Sequence, residues 1–193
     1  MTEPSYFERL YADSGDPWRL SSSAYEARKY ALTMAALPRP RYVRAFEPGC
    51  SIGVLTSLLA ARCDELVAWD GAAAAVEQAR ERTSGSVVIA GQHRVPTDWP
   101  DGNFDLVVLS ELLYYLDVGQ RRRTLDLAVR SLSAGGHLVA VHWRHAFAEA
   151  PSNGDEVHAE VNASPGVMRV VQHVEPDFLL DVHEVRGQSP GRR

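Results

Sequence analysis

From residue 41 to residue 143 the hydrophobic period of the chain switches repeatedly between two and 3.6 residues, and that rhythm restricts the fold more than any single motif. Arg41 to Glu47 reads as a strand running into Pro48-Gly49, Val54 to Arg62 as an apolar-faced helix, and Glu65 to Trp69 as a second strand ending at Asp70-Gly71. Ala72 to Arg82 reads as helix on its alanine content. Val87 to Ala90 and Phe104 to Leu109 follow as strands three and four. Gln120 to Ser131 reads as a helix stopped by Gly135-Gly136, and His137 to Trp143 as a fifth strand. Such alternation builds a parallel sheet covered on both faces, and Leu106-Val107-Val108-Leu109 is apolar enough for burial from both sides. The fold expected is α/β, doubly wound and Rossmann-like.

Two segments leave the rhythm. Residues 1–40 carry a helical pattern (Tyr25, Lys29, Leu32, Met34) closed by Pro38-Arg39-Pro40, and read as an N-terminal helical cap on the domain formed by residues 41–193. Residues 144–165, with Pro151, Asn153-Gly154 and Pro165, read as a long loop; Met168 to Val174 and Phe178 to Val185 then read as strands joined by a turn at Pro176. A chain of 193 residues suits one structural domain overall.

Charge and cysteine content exclude several function classes. Twenty-five acidic against 20 basic residues give a net charge of -5, a poor match to a phosphate backbone, and Arg121-Arg122-Arg123 reads as a solvated helix face. No apolar run approaches a membrane span, and the start lacks a secretory signature. Cys50 and Cys63 have no metal-ligand spacing and read as reduced, buried thiols of a cytoplasmic protein with no metal.

In open α/β sheets ligands bind beyond the carboxyl ends of the strands. Strand one ends in Glu47-Pro48-Gly49-Cys50-Ser51-Ile52-Gly53, where Gly49 and Gly53 permit a tight turn and close backbone approach. The dinucleotide fingerprint is absent, since its second and third glycines fall at Ser51 and Val54. Asp70 closes strand two, where an acid accepts hydrogen bonds from ribose hydroxyls; it also reads as a cap for the helix near Ala72, and the two roles are compatible. A site with this acid but without the dinucleotide glycines suits an adenosine lacking a pyrophosphate.

Glu47 to Gly53, Asp70, and Phe104-Asp105-Leu106-Val107-Val108-Leu109-Ser110-Glu111 resemble the successive motifs of class I S-adenosylmethionine-dependent methyltransferases. Asp16-Pro17-Trp18, Tyr25-Glu26, Lys29-Tyr30, Val95-Pro96, Trp99-Pro100 and Tyr114-Tyr115-Leu116 narrow the resemblance to the nodulation protein S family over residues 5–145. The resemblance implies a mostly parallel seven-stranded sheet with an N-terminal helical cap, and S-adenosyl-L-methionine as cofactor with S-adenosyl-L-homocysteine as product. It also implies a cofactor map. Gly49, Ser51 and Gly53 approach the methionine moiety through backbone, Glu47 fixes the turn or meets the amino group, and Asp70, followed by Gly71, holds the ribose. Where relatives carry Gly-Asp, this chain has Gly91-Gln92-His93, and Gln92 accepts from the adenine amino group with His93 beside it. Ser110 and Glu111 lie where sulfonium and acceptor meet. The leader closes over the site with Trp18 and Arg28 as contacts, although Trp18 reads equally well as a core aromatic.

Methyl transfer from a sulfonium is an in-line displacement, so alignment carries most of the catalysis, and a protonated amine acceptor needs a base. Glu111, His142 and His145 are the candidates, being expected at or just past the ends of strands four and five, with Tyr114 and Tyr115 lining the acceptor pocket. His137, His173 and His183 sit in strand patterns and read as structural, and the acidic residues of 149–160 read as solvated surface. The Pro-Pro clamp of base-amino methyltransferases and the Pro-Cys of cytosine-carbon enzymes are both missing, which argues against nucleic acid. The resemblance implies N-methylation of a small-molecule or oligosaccharide amine, the free amine of a deacetylated chitooligosaccharide in nodulation-signal synthesis. Another small amine or hydroxyl, or an inactive cofactor-binding module, remain the alternatives.

Overall fold

The computed structural model describes residues 4–186. One sheet of seven strands runs in the order β3-β2-β1-β4-β5-β7-β6. Its members are β1 (Tyr42–Pro48), β2 (Cys63–Asp70), β3 (Val88–Gln92), β4 (Phe104–Ser110), β5 (Leu132–Trp143), β6 (Val167–Val174) and β7 (Phe178–Val185). The pairs among β1 to β5 are parallel, and β7 is antiparallel to both β5 and β6. Strand order reverses between β1 and β4, which opens a crevice at their carboxyl ends. The hairpin turn at Glu175–Asp177 sends β7 into the sheet rather than β6, and composition gives the reason. Phe178-Leu179-Leu180 buries on both faces, whereas β6 carries Arg169, Gln172 and His173 and takes the exposed edge.

The helices are α1 (Pro4–Asp13), α2 (Ala24–Ala36), α3 (Val54–Ala60), α4 (Ala73–Arg82), α5 (Val118–Ser131) and α6 (Gly154–Asn162). Ser23 caps α2, and Asp117 caps α5 through a reciprocal box with Gln120, so α5 begins before the expected Gln120. The expectation of a long loop over 144–165 is corrected by α6. Asn153-Gly154 is a helix start: Asn153 Oδ1 accepts from Glu156 N at 3.0 Å, and Glu156 Oε2 accepts from Asn153 N at 3.4 Å. Val157 and Val161, four apart, then bury against the core. Cys50 and Cys63 are free and buried. No helix among the described residues is long and apolar enough to cross a membrane. The leader helices α1 and α2 stand over the carboxyl ends of the strands and furnish part of the site wall.

Candidate active site

A cavity of about 960 Å³ opens at the ends of β1, β2, β4 and β5, at the upper end of the usual range for small-molecule sites. After β1 the backbone takes positive φ at Gly49 (77°) and Ser51 (51°), and this turn hangs from β2: Gly49 N and Cys50 N donate to Trp69 O at 2.7 and 3.0 Å. Asp70 lies at its centre, its Oδ2 accepting from Ser51 N and its Oδ1 from Ala72 N, both at 2.9 Å. It therefore braces the turn and starts α4 while facing the cavity. Burial pushes the Asp70 carboxyl up, against the N–H groups that favour its charge. Gly49 lines the cavity, and a Cβ there would sit 3.2 Å from Leu112 Cδ1. Gly53 serves a different end: with φ 79° it lets α4 approach, since a Cβ would fall 2.9 Å from Ala79 Cα, and it lies outside the cavity lining.

Glu47 forms the floor. It is 2% exposed, its Oε2 is buried without a hydrogen-bond partner, and burial pushes its carboxyl up to about 8, with Thr56 opposing and Asp70 adding to the rise. An orphaned acceptor facing a cavity fits a ligand ammonium.

At the end of β4, Glu111 adopts φ 52° and is held by donors on every side. Lys29 Nζ lies 2.5 Å from Oε1, while Trp143 N, at 3.0 Å, and the Tyr114 hydroxyl both donate to Oε2. Lys29 is 2% exposed and also reaches Glu26. Burial alone would lower the Lys29 ammonium, but Glu111 and Glu26 raise it above its usual value. Around these charges stand aromatic rings: Tyr115 meets Phe7 at 4.9 Å and Phe147 at 5.5 Å, and Trp18 meets Tyr11 at 5.6 Å. Tyr11 also bonds the Ser51 hydroxyl, tying α1 to the turn after β1.

Most of the expected residues gather here: Trp18, Glu47, Gly49, Ser51, Asp70, Gly71, His93, Ser110, Glu111, Tyr114 and Tyr115 line one cavity. His93 lies over Trp69 at 3.9 Å between ring centroids. Gln92 instead turns to Gly71 O (3.2 Å) and Glu8 (3.3 Å) and is not in the lining. Arg28 is exposed and forks onto Glu175 at 2.6 and 2.7 Å, away from the cavity, and with His173 it holds the Glu175 carboxyl down at about 2. His145 pairs with Asp177 at 2.8 Å on the surface beyond Trp143. His142 is fully buried behind the site. Its Nε2 accepts from Leu113 N at 3.2 Å, so its proton is on Nδ1, which points to His158 Nε2 at 3.3 Å, and His158 Nδ1 in turn donates to Asp181 at 2.6 Å. Sequence reading gave no role to Glu26, Lys29, Phe7 or Tyr11. One signal pointed to Lys29: among 20 basic residues it is the single lysine.

A doubly wound sheet with an acid-ended β2, a turn of positive-φ backbone after β1 and a cavity at the reversal of strand order defines the class I S-adenosylmethionine-dependent methyltransferases. Within that class the chain belongs to the nodulation protein S (NodS) family, whose model matches residues 6–161. A Rhizobium tropici nodulation protein S is 32% identical over 64% of this chain, and the match spans 53% of that protein, about half its length. The crystal structure of N-methyltransferase NodS from Bradyrhizobium japonicum WM9 with S-adenosyl-L-homocysteine superposes with a TM-score of 0.81 at 28% identity, covering 94% of this chain and 97% of that one. A crystal structure from Pseudomonas syringae is 45% identical with a TM-score of 0.72, covering 84% of this chain and 99% of that one.

Proposed function

We propose that the chain is an S-adenosylmethionine-dependent N-methyltransferase whose acceptor is the free amine of a small molecule or oligosaccharide, with a deacetylated chitooligosaccharide as the first candidate. Bound S-adenosylmethionine supplies a methyl group activated on a sulfonium. Asp70 would hold the ribose, Glu47 the amino group, and the Gly49–Ser51 backbone the carboxylate end. The ring pair Trp69 and His93 would border the adenine from one side, since Gln92 is turned away. Phe7, Tyr11 and Trp18 would exclude water from above.

The observation that carries an amine acceptor is the charge beside Ser110. Two carboxylates, Glu26 and Glu111, face one ammonium, Lys29, which leaves one negative charge unbalanced in a wall otherwise rich in aromatic rings. Such a wall favours a cation with apolar or sugar faces over an anion or a polyphosphate. We place the reaction in the cytoplasm, in keeping with two free cysteines.

Incubation with S-adenosylmethionine and a deacetylated chitooligosaccharide, followed by mass spectrometry, is expected to show one added methyl on the free-amine sugar and none on the fully acetylated oligomer. Release of S-adenosylhomocysteine only with other metabolites would reassign the acceptor, and no release with any acceptor would refute the enzyme reading.

A further inference from the structure

Glu111, the carboxylate that chain position nominates as base, is occupied by Lys29, the Tyr114 hydroxyl and Trp143 N–H. Three donors lock its orientation, which makes it a brace between α2, β4 and β5. Glu26, one turn before Lys29 on α2 and the other carboxylate contact of its Nζ, is arranged differently. Its Oε1 accepts from Lys29 Nζ at 3.0 Å, whereas its Oε2, although 2.9 Å from the same nitrogen, lies outside hydrogen-bond geometry and is buried without a partner. The Tyr25 hydroxyl is likewise buried and unpartnered, and Lys29 Nζ stands 5.1 Å from the Tyr25 ring. Both residues line the cavity with Ser110 and Glu111. An orphaned carboxylate oxygen beside an ammonium and an orphaned hydroxyl, on adjacent residues of the cavity wall, mark the place of a missing partner.

We propose that Glu26 is the catalytic carboxylate toward the acceptor: its Oε2 receives the acceptor ammonium and takes a proton from it, with the Tyr25 hydroxyl as a second contact. In that step an N–H bond breaks, its electron pair stays on nitrogen as the lone pair needed for attack, and an O–H bond forms at Oε2. Neutral Glu26 afterwards returns the proton to water. This assignment rests on the N-methylation reading above.

The surroundings suit the task. Burial raises the Glu26 carboxyl above its usual value and Glu111 raises it further, while Lys29 and the Tyr30 hydroxyl pull it down. Tyr25 on the same helix, Tyr114 across the cavity and Glu47 beyond Tyr30 complete the titratable groups around it. Burial pushes the Tyr25 hydroxyl up to about 12, so it stays a neutral donor throughout the working range. A carboxylate that burial makes more basic than it is in water is the better proton acceptor.

The test compares the full chain with Glu26→Gln, Glu26→Asp and Tyr25→Phe. Calorimetry with S-adenosylhomocysteine checks folding and the cofactor end, and glucosamine with N-acetylglucosamine as uncharged control probes the acceptor end. In Glu26→Gln we expect S-adenosylhomocysteine affinity to stay within about threefold and kcat/KM for the amine at pH 7 to fall about 100-fold, as for a lost general base. The deficit should shrink as pH rises toward the amine's own pKa. The preference for glucosamine should vanish in Glu26→Gln, and Glu26→Asp should restore the acidic limb of the pH profile. Tyr25→Phe should raise KM several-fold without moving that limb. An unchanged rate and profile in Glu26→Gln overturns the assignment of Glu26 alone. Cofactor affinity falling more than about tenfold there overturns it too, by giving Glu26 to the cofactor. A wild-type protein that shows no preference for glucosamine and methylates only hydroxyl or amide acceptors overturns both this assignment and the N-methylation reading.

Discussion

Two buried clusters of titratable side chains meet at the 3-10 turn Leu113–Tyr115, and they are bonded differently. The cavity cluster of Glu26, Lys29, Glu47 and Glu111 keeps carboxylate oxygens without a hydrogen bond at Glu26 and Glu47, the first of them 2.9 Å from the Lys29 ammonium. In the histidine cluster, both ring nitrogens of His142 and of His158 are engaged, from Leu113 N–H at one end to Asp181 Oδ2 at the other; the far Asp181 oxygen, 3.6 Å from Arg169, is buried without a hydrogen bond but lies outside the cavity lining. By residue type the histidines look the more chemical of the two sets. By bonding they hold the fold, because an imidazole whose two nitrogens are already spoken for has neither a lone pair nor a proton to exchange with a ligand. Unmet valence on a cavity wall, rather than residue type, marks where a ligand belongs.

Changes on the cavity side should therefore move ligand binding, and changes in the histidine cluster should move stability. The largest effect is expected at Asp70→Ala. On the proposed cofactor map this removes the ribose acceptor together with the brace of the turn after β1, and should weaken S-adenosylhomocysteine binding about 100-fold by calorimetry. An affinity within about threefold of wild type would remove Asp70 from the cofactor map. His142→Ala should cost about 3 kcal/mol of folding stability, read from urea midpoints, because Leu113 N–H and His158 Nε2 are both left unpaired in the core. Cofactor affinity should barely change.

Stability against pH separates the clusters further. Burial, with His158 and Lys29 nearby, holds His142 well below its usual 6.5. The unfolded chain therefore takes up a proton that the native one refuses, and stability falls with decreasing pH below about 6.5 by up to ~1.4 kcal/mol per unit for this one group. His142→Ala should lessen that slope. Glu47 acts with the opposite sign: native at about 8 against 4.5 unfolded, it contributes stability below pH 4.5 that is lost as pH rises toward 8. Glu47→Gln should flatten that loss, and an unaltered pH curve in either variant would contradict the burial of that group. The smallest effect belongs to Arg28→Ala, whose exposed pair with Glu175 should leave cofactor affinity within about twofold. A larger loss would return Arg28 to the site.

Much of this was legible without coordinates because the signals are local. Strand period, the alanine run of α4, the glycine turn after β1 and the acid at the end of β2 all lie within a few residues of the atoms they arrange. What escaped were features whose cause lies far along the chain. Lys29 meets Glu111 across 82 positions, and His142 is enclosed by α6, a helix hidden because Asn153-Gly154 reads equally as a turn or as a cap. Gly53 had the right backbone for a ligand loop, yet the neighbour it accommodates is Ala79.

The sequence by itself determined the alternation of strands and helices, the resemblance to a methyltransferase family and the residues that line the cavity at the ends of β1 and β2, since periodicity and turn chemistry are written in neighbouring residues. Only the tertiary structure decided which carboxylates are saturated and which are open. A side chain's free lone pairs depend on donors that folding brings from other elements, and Glu26 and Glu111, alike in chemistry, differ only in how many such donors reach them.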